Sequence, residues 1–196
     1  MNEQELKSEA YHEAGHVVMA RLSGVKIRSV WIDRAVLTSD GNILGGYVNC
    51  YKRKLTFETA ICMALAGAWA EKIYSGGFRF LGIGADLELA NDLYVKHGHR
   101  FDMSLSQAWE TTGLILSNPD NWRLVDAIAK RLLEKKSLSG RSIEKIIQEA
   151  NPDWDTQIKQ GPDKNRTMDS VKARKCSGPN GIRTRVTDVR GRCPNH

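Results

Sequence analysis

The chain has 196 residues, 41% of them apolar, enough for one domain with a buried core. Its formal charge of +6 is unevenly placed: residues 151 to 196 hold 10 Lys and Arg against 5 Asp, and residues 1 to 150 hold 19 against 18 acidic residues. The balanced body gives no sign of a basic nucleic-acid groove, no apolar run approaches the ~20 residues that span a bilayer, and no C-x-x-C pair marks a zinc ribbon or redox site.

The acidic, helix-like start, MNEQELKSEA, is unlike a signal peptide, so a cytoplasmic location is expected. Cys50, Cys62, Cys176 and Cys193 are then expected as reduced thiols. Residues 3 to about 23 predict one amphipathic helix: Leu6, Ala10, Val17, Ala20 and Leu22 recur at helical spacing, and Gly24 is a stop. Residues 26 to 34 and 44 to 52 are rich in Val, Ile, Trp and Tyr and flank the turn signal SDGN. They predict two or three short strands of a small antiparallel sheet.

A largely buried helix is expected over 56 to 75, closed by Gly76 and Gly77. Its run of Ala64, Ala66, Gly67, Ala68 and Ala70 would let another helix come close. A loop and a helix from about residue 85 follow. Ser104 and Gln107 fit a capping box for a helix over 105 to 117. Helices over 121 to 136 and 141 to 150 complete an α+β, mostly helical domain of residues 1 to 150 with a small antiparallel sheet. Past Pro152 the apolar periodicity stops, and residues 151 to 196 are expected as a disordered basic tail. Any nucleic-acid contact would have to come from that tail.

One stretch of the first helix is out of keeping with a plain core: AYHEAGHVVMARL. His12 and His16 are four residues apart, so a helix places both imidazoles on one face, where they can share one metal ion. Glu13 is turned about 100° from His12 and need not coordinate. A zinc ion lowers the pKa of a bound water towards ~7, and Glu13 could take its proton. Gly15 leaves room beside the site for backbone or substrate. A third protein ligand is still needed. His97, His99, Glu71, Asp86 and Asp92 are the candidates, and spacing alone does not choose among them.

The motif together with three later segments resembles the zinc-peptidase domain of the FtsH family of ATP-dependent proteases. MALAGAWAEKIYSGG resembles that family's LAGRAAEE…FGG helix. GADLELANDLY resembles its aspartate-bearing segment, and IAKRLLEKKSLSGRSIEKI its closing helices. The resemblance covers roughly residues 5 to 150 in order. It implies His12, His16 and Asp86 as ligands of one Zn2+ and Glu13 as the general base. Asp92 is the rival for the third position; six residues from Asp86, it faces another side of a helix. Val17, Ala68, Trp69, Lys72 and Ala85 depart from the family pattern, and none is a proposed ligand or base.

The sequence carries no G-x-x-x-x-G-K-[ST] phosphate loop. The expected activity is therefore a zinc metalloendopeptidase acting on peptides or unfolded segments without its own ATPase. Homo-oligomers or an ATPase partner are what the resemblance implies for assembly. A catalytically silent zinc- and peptide-binding regulator is the alternative. Substrate is expected to add as a strand to an edge of the sheet, with GGYVNCY (45 to 51) as that edge.

Overall fold

The computed structural model describes residues 2–33, 36–37, 43–44, 46–51, 55–77, 80–97 and 103–154. The SDGN turn, His99 and the tail from 155 lie outside the described residues. In chain order the elements are α1 (Glu3–Leu22), β1 (Ile27–Trp31), β2 (Val36–Leu37), β3 (Ile43–Leu44), β4 (Tyr47–Cys50), α2 (Phe57–Ser75), α3 (Phe80–His97), α4 (Leu105–Leu116), α5 (Pro119–Lys135), β5 (Ser137–Ser139) and α6 (Gly140–Ala150). The architecture is α+β and mostly helical, as expected.

Helix ends follow local chemistry. Asn2 caps α1 by accepting from the Glu5 amide while the Glu5 carboxylate accepts from the Asn2 amide. Ser104 and Gln107 do the same for α4. Gly76 ends α2 at φ +73°, a conformation glycine adopts without a Cβ clash.

The main sheet has the order β4-β1-β5, all antiparallel. A bulge interrupts β1 against β4: Ile27 faces Cys50 and Ser29 faces Asn49, so Arg28 is the extra residue. The short strand β5 lies far along the chain from β1. Lys136, at φ +60°, turns the backbone out of α5, and its carbonyl accepts from the Ile32 amide, which aligns β5 with β1.

Two apolar clusters hold the layers together. Ala10, Ala14, Val17 and Val18 of α1 pack with Leu124, Ile128 and Leu132 of α5, Ile143 and Ile147 of α6, and Val30 of β1. Phe57, Ile61 and Leu65 of α2 pack with Ala90 of α3 and Ala108 of α4. Tyr11 stacks on Tyr74, ring centroids 3.9 Å apart, and donates its hydroxyl to Asp126 at 2.6 Å.

Three boundaries differ from expectation. Helix α3 starts at Phe80, not near 85, so Asp86 lies inside the helix. The sheet takes in β5, from outside the two stretches expected as strands. Packing also runs past residue 150: Trp154 is buried in the main core and Asn151 beside it is buried too. No helix among the described residues is long and apolar enough to cross a membrane.

Candidate metal centre

The site forms where α1, α2 and α3 meet. Helix α1 runs unusually close to α2 because Gly15 has no side chain: a Cβ there would lie 2.6 Å from the Ala66 carbonyl oxygen and from Ala70 Cβ. The space that sequence reasoning left beside Gly15 is filled by α2 backbone. At this closeness His12 and His16 project into the gap between the helices, and α3 closes it with Asp86.

His12 Nε2 and His16 Nε2 are 3.2 Å apart. Asp86 Oδ2 lies 3.1 Å from each. The three atoms form a nearly equilateral triangle. A tetrahedral zinc ion with bonds of about 2.0–2.1 Å separates its ligand atoms by about 3.3 Å, so the triangle matches one face of such a site.

Three further observations test the fit, and each agrees. First, Asp86 Oδ2 is buried and makes no hydrogen bond, although it faces both rings. Second, His16 Nδ1 lies 2.9 Å from the Met63 carbonyl oxygen, which can only accept. That bond places a proton on Nδ1 and leaves the Nε2 lone pair of the neutral ring for a metal. Third, Gly67 of α2 faces the convergence point. A Cβ there would fall 2.5 Å from both Nε2 atoms.

Charge in the site follows from burial and neighbours. Burial pushes the Asp86 carboxyl up, but His16 and His12 outweigh it and hold it well below the usual carboxylate range. Burial opposes charge on His12, but the carboxylates of Asp86, Glu71 and Glu13 raise its pKa to about 10. A metal ion would have to displace the His12 proton, and the donor set is then two imidazoles and an anionic oxygen. Burial pushes the Glu13 carboxyl up by more than the two imidazoles pull it down. A carboxylate held in this way is a better proton acceptor than an exposed one.

Glu13 meets the sheet at Gly46, just before β4. A Cβ on Gly46 would lie 2.6 Å from Glu13 Oε1, so the backbone entering β4 passes against the carboxylate.

The remaining candidates separate cleanly. Glu71 is buried behind His12, with Oε2 3.8 Å from His12 Nδ1, on the side away from the triangle. At that distance it makes no hydrogen bond to Nδ1 but faces it as a buried carboxylate, and it is not among the converging atoms. Asp92 is exposed on α3. His97 packs edge-on against Phe57, centroids 6.4 Å apart. His12, His16 and Asp86 are the group of ligand-type residues found among the described residues.

Gly67 and Met63 were missed as contributors by sequence reasoning. The small-residue run of α2 signalled a close helix contact. It did not say that one of those residues faces the histidines. The Met63 contribution is a main-chain oxygen, which no residue type announces. The chain matches no protein-family model and no curated protein.

Proposed function

We propose that the chain is a zinc-dependent metalloendopeptidase that hydrolyses peptide bonds in peptides or unfolded protein segments, as the likeness to the FtsH peptidase domain implies. The observation that carries this reading is the triangle of His12 Nε2, His16 Nε2 and Asp86 Oδ2, with edges of 3.1 to 3.2 Å. These three residues would hold one zinc ion. When bound, zinc supplies Lewis acidity at a carbonyl and acidifies water.

The chain's own groups do the rest. Glu13 accepts a proton from the attacking water and returns it to the leaving amine. The Met63 carbonyl orients His16 from behind, and the Glu71 carboxylate faces His12 Nδ1 at 3.8 Å. The edge of β4 offers main-chain partners to an extended substrate, and Gly46 brings that edge against Glu13. Pairing through the main chain tolerates many sequences, which suits a peptidase of unfolded segments.

Metal analysis of the purified protein beside two variants tests the ligand set. Wild type and Asp92→Ala should each hold about one zinc per chain, and Asp86→Ala should lose it. Glu13→Gln should keep zinc and lose cleavage of casein by about 10²–10⁴-fold. If neither form cleaves while both hold zinc, the silent zinc- and peptide-binding regulator is the function.

A further inference from the structure

A groove of about 710 Å³ runs along β4, away from Glu13. Its apolar part is made by Val25, Val48, Leu55 and Met63, and Arg28 and Tyr51 also line it. Met63 links the groove to the metal centre, because its carbonyl holds His16. Gly46 directly precedes Tyr47 of the groove lining, and its backbone lies on Glu13. A chain lying along β4 would therefore leave the reacting centre and enter this groove.

Arg28 is the feature that gives the groove chemical character. It occupies the bulge between Ile27 and Ser29, and bulges re-aim side chains at sheet edges. Its guanidinium carbon stands 4.2 Å from the centre of the Tyr51 ring. Among the described residues no carboxylate pairs with it. An exposed guanidinium held by an aromatic ring above an apolar groove is complementary to a carboxylate on an otherwise apolar segment.

We propose that Arg28 makes this groove a remote specificity site for extended peptides that carry an Asp or Glu four or five residues from the scissile bond, with an apolar side chain between. The spacing comes from the strand. The backbone of Arg28 falls between Cys50 and Asn49 in the register and its guanidinium reaches over the Tyr51 ring, so the charge stands four to five residues beyond Gly46, roughly 13–17 Å at strand rise. This inference rests on the peptidase reading and adds the substrate class.

The test uses the zinc-loaded full chain carrying Glu13→Gln, titrated with fluorescein-labelled decapeptides and read by anisotropy. Each peptide has one Asp or Lys, four or five residues to either side of a fixed central bond, and a leucine between. On one side of the bond, Asp peptides should bind about three- to tenfold tighter than their Lys counterparts, and added salt should shrink the gap. Adding Arg28→Gln should erase the preference and Arg28→Glu should invert it. Equal affinity for both peptides, or a preference that survives Arg28→Glu, overturns the proposal. Cleavage is measured separately with Glu13 intact. A binding preference without cleavage keeps this inference and removes the peptidase activity; cleavage without preference does the opposite.

Discussion

Replacing Gly67 by alanine adds one methyl group at the point where the two imidazoles converge. The new Cβ would fall 2.5 Å from both Nε2 atoms, where uncrowded contact needs about 3.5 Å. The rings or the α2 backbone must therefore give way by about 1 Å. A metal site tolerates only about 0.2 Å in its bond lengths, so zinc affinity should fall at least about 100-fold. Stability should change far less. Overpacking costs about 1–3 kcal/mol, and alanine regains about 1 kcal/mol over glycine inside a helix, for a net loss of about 0–2 kcal/mol. Competition with a chromophoric chelator measures the affinity, and circular dichroism of the metal-free protein measures the melting temperature. Gly113→Ala is the control, since its Cβ would collide equally hard with the Trp69 ring, at 2.6 Å, and not with the histidines. It should cost stability and leave zinc binding alone. A Gly67→Ala protein that binds zinc within about twofold of wild type would refute the cradle argument.

Glu71→Gln should fold and lower zinc affinity by about 10–100-fold, because the carboxylate behind His12 is gone; unchanged affinity in the same chelator assay would remove Glu71 from the site. Asp126→Asn should lower stability at pH 7 by about 0.5–1.5 kcal/mol. Burial raises the Asp126 carboxyl, but its bonds to Lys130 and Tyr11 outweigh that and lower it. The stabilisation is thus present above the unfolded pKa of about 3.9 and lost as pH falls through the depressed folded value, so urea midpoints of the two proteins should converge as the pH drops below about 3.9. Trp154→Ala should cost about 3–5 kcal/mol by urea denaturation, as expected for a buried indole; a loss under about 1 kcal/mol would place the end of the core before residue 151.

Much of the site is readable in the sequence because a helix converts spacing into direction. The four-residue interval between His12 and His16 is enough to put both rings on one face, and the cap at Ser104 announces where α4 begins. The third acidic residue has no such local rule. Its place depends on where α3 crosses α2, and spacing from His16 says nothing about a crossing. The early start of α3 is hidden because its first turn carries no acidic residue and is spaced by Gly82 and Gly84, which weaken a helical pattern. Strand β5 is three residues, Ser-Leu-Ser, too short to show alternation. It exists because its partner β1 has a free edge, a tertiary reason that leaves no local trace.

Strand β1 is flanked by β4, which follows it closely in the chain, and by β5, which is synthesised more than a hundred residues later. Helix α1 shares part of this dependence, since α2 covers one side of it and the much later α5 covers another. On the ribosome, then, the histidines emerge first and α2 can cover one side of their helix early, but the other side waits for α5. All three candidate ligands have been made by the end of α3, well before the core that steadies their helix is complete.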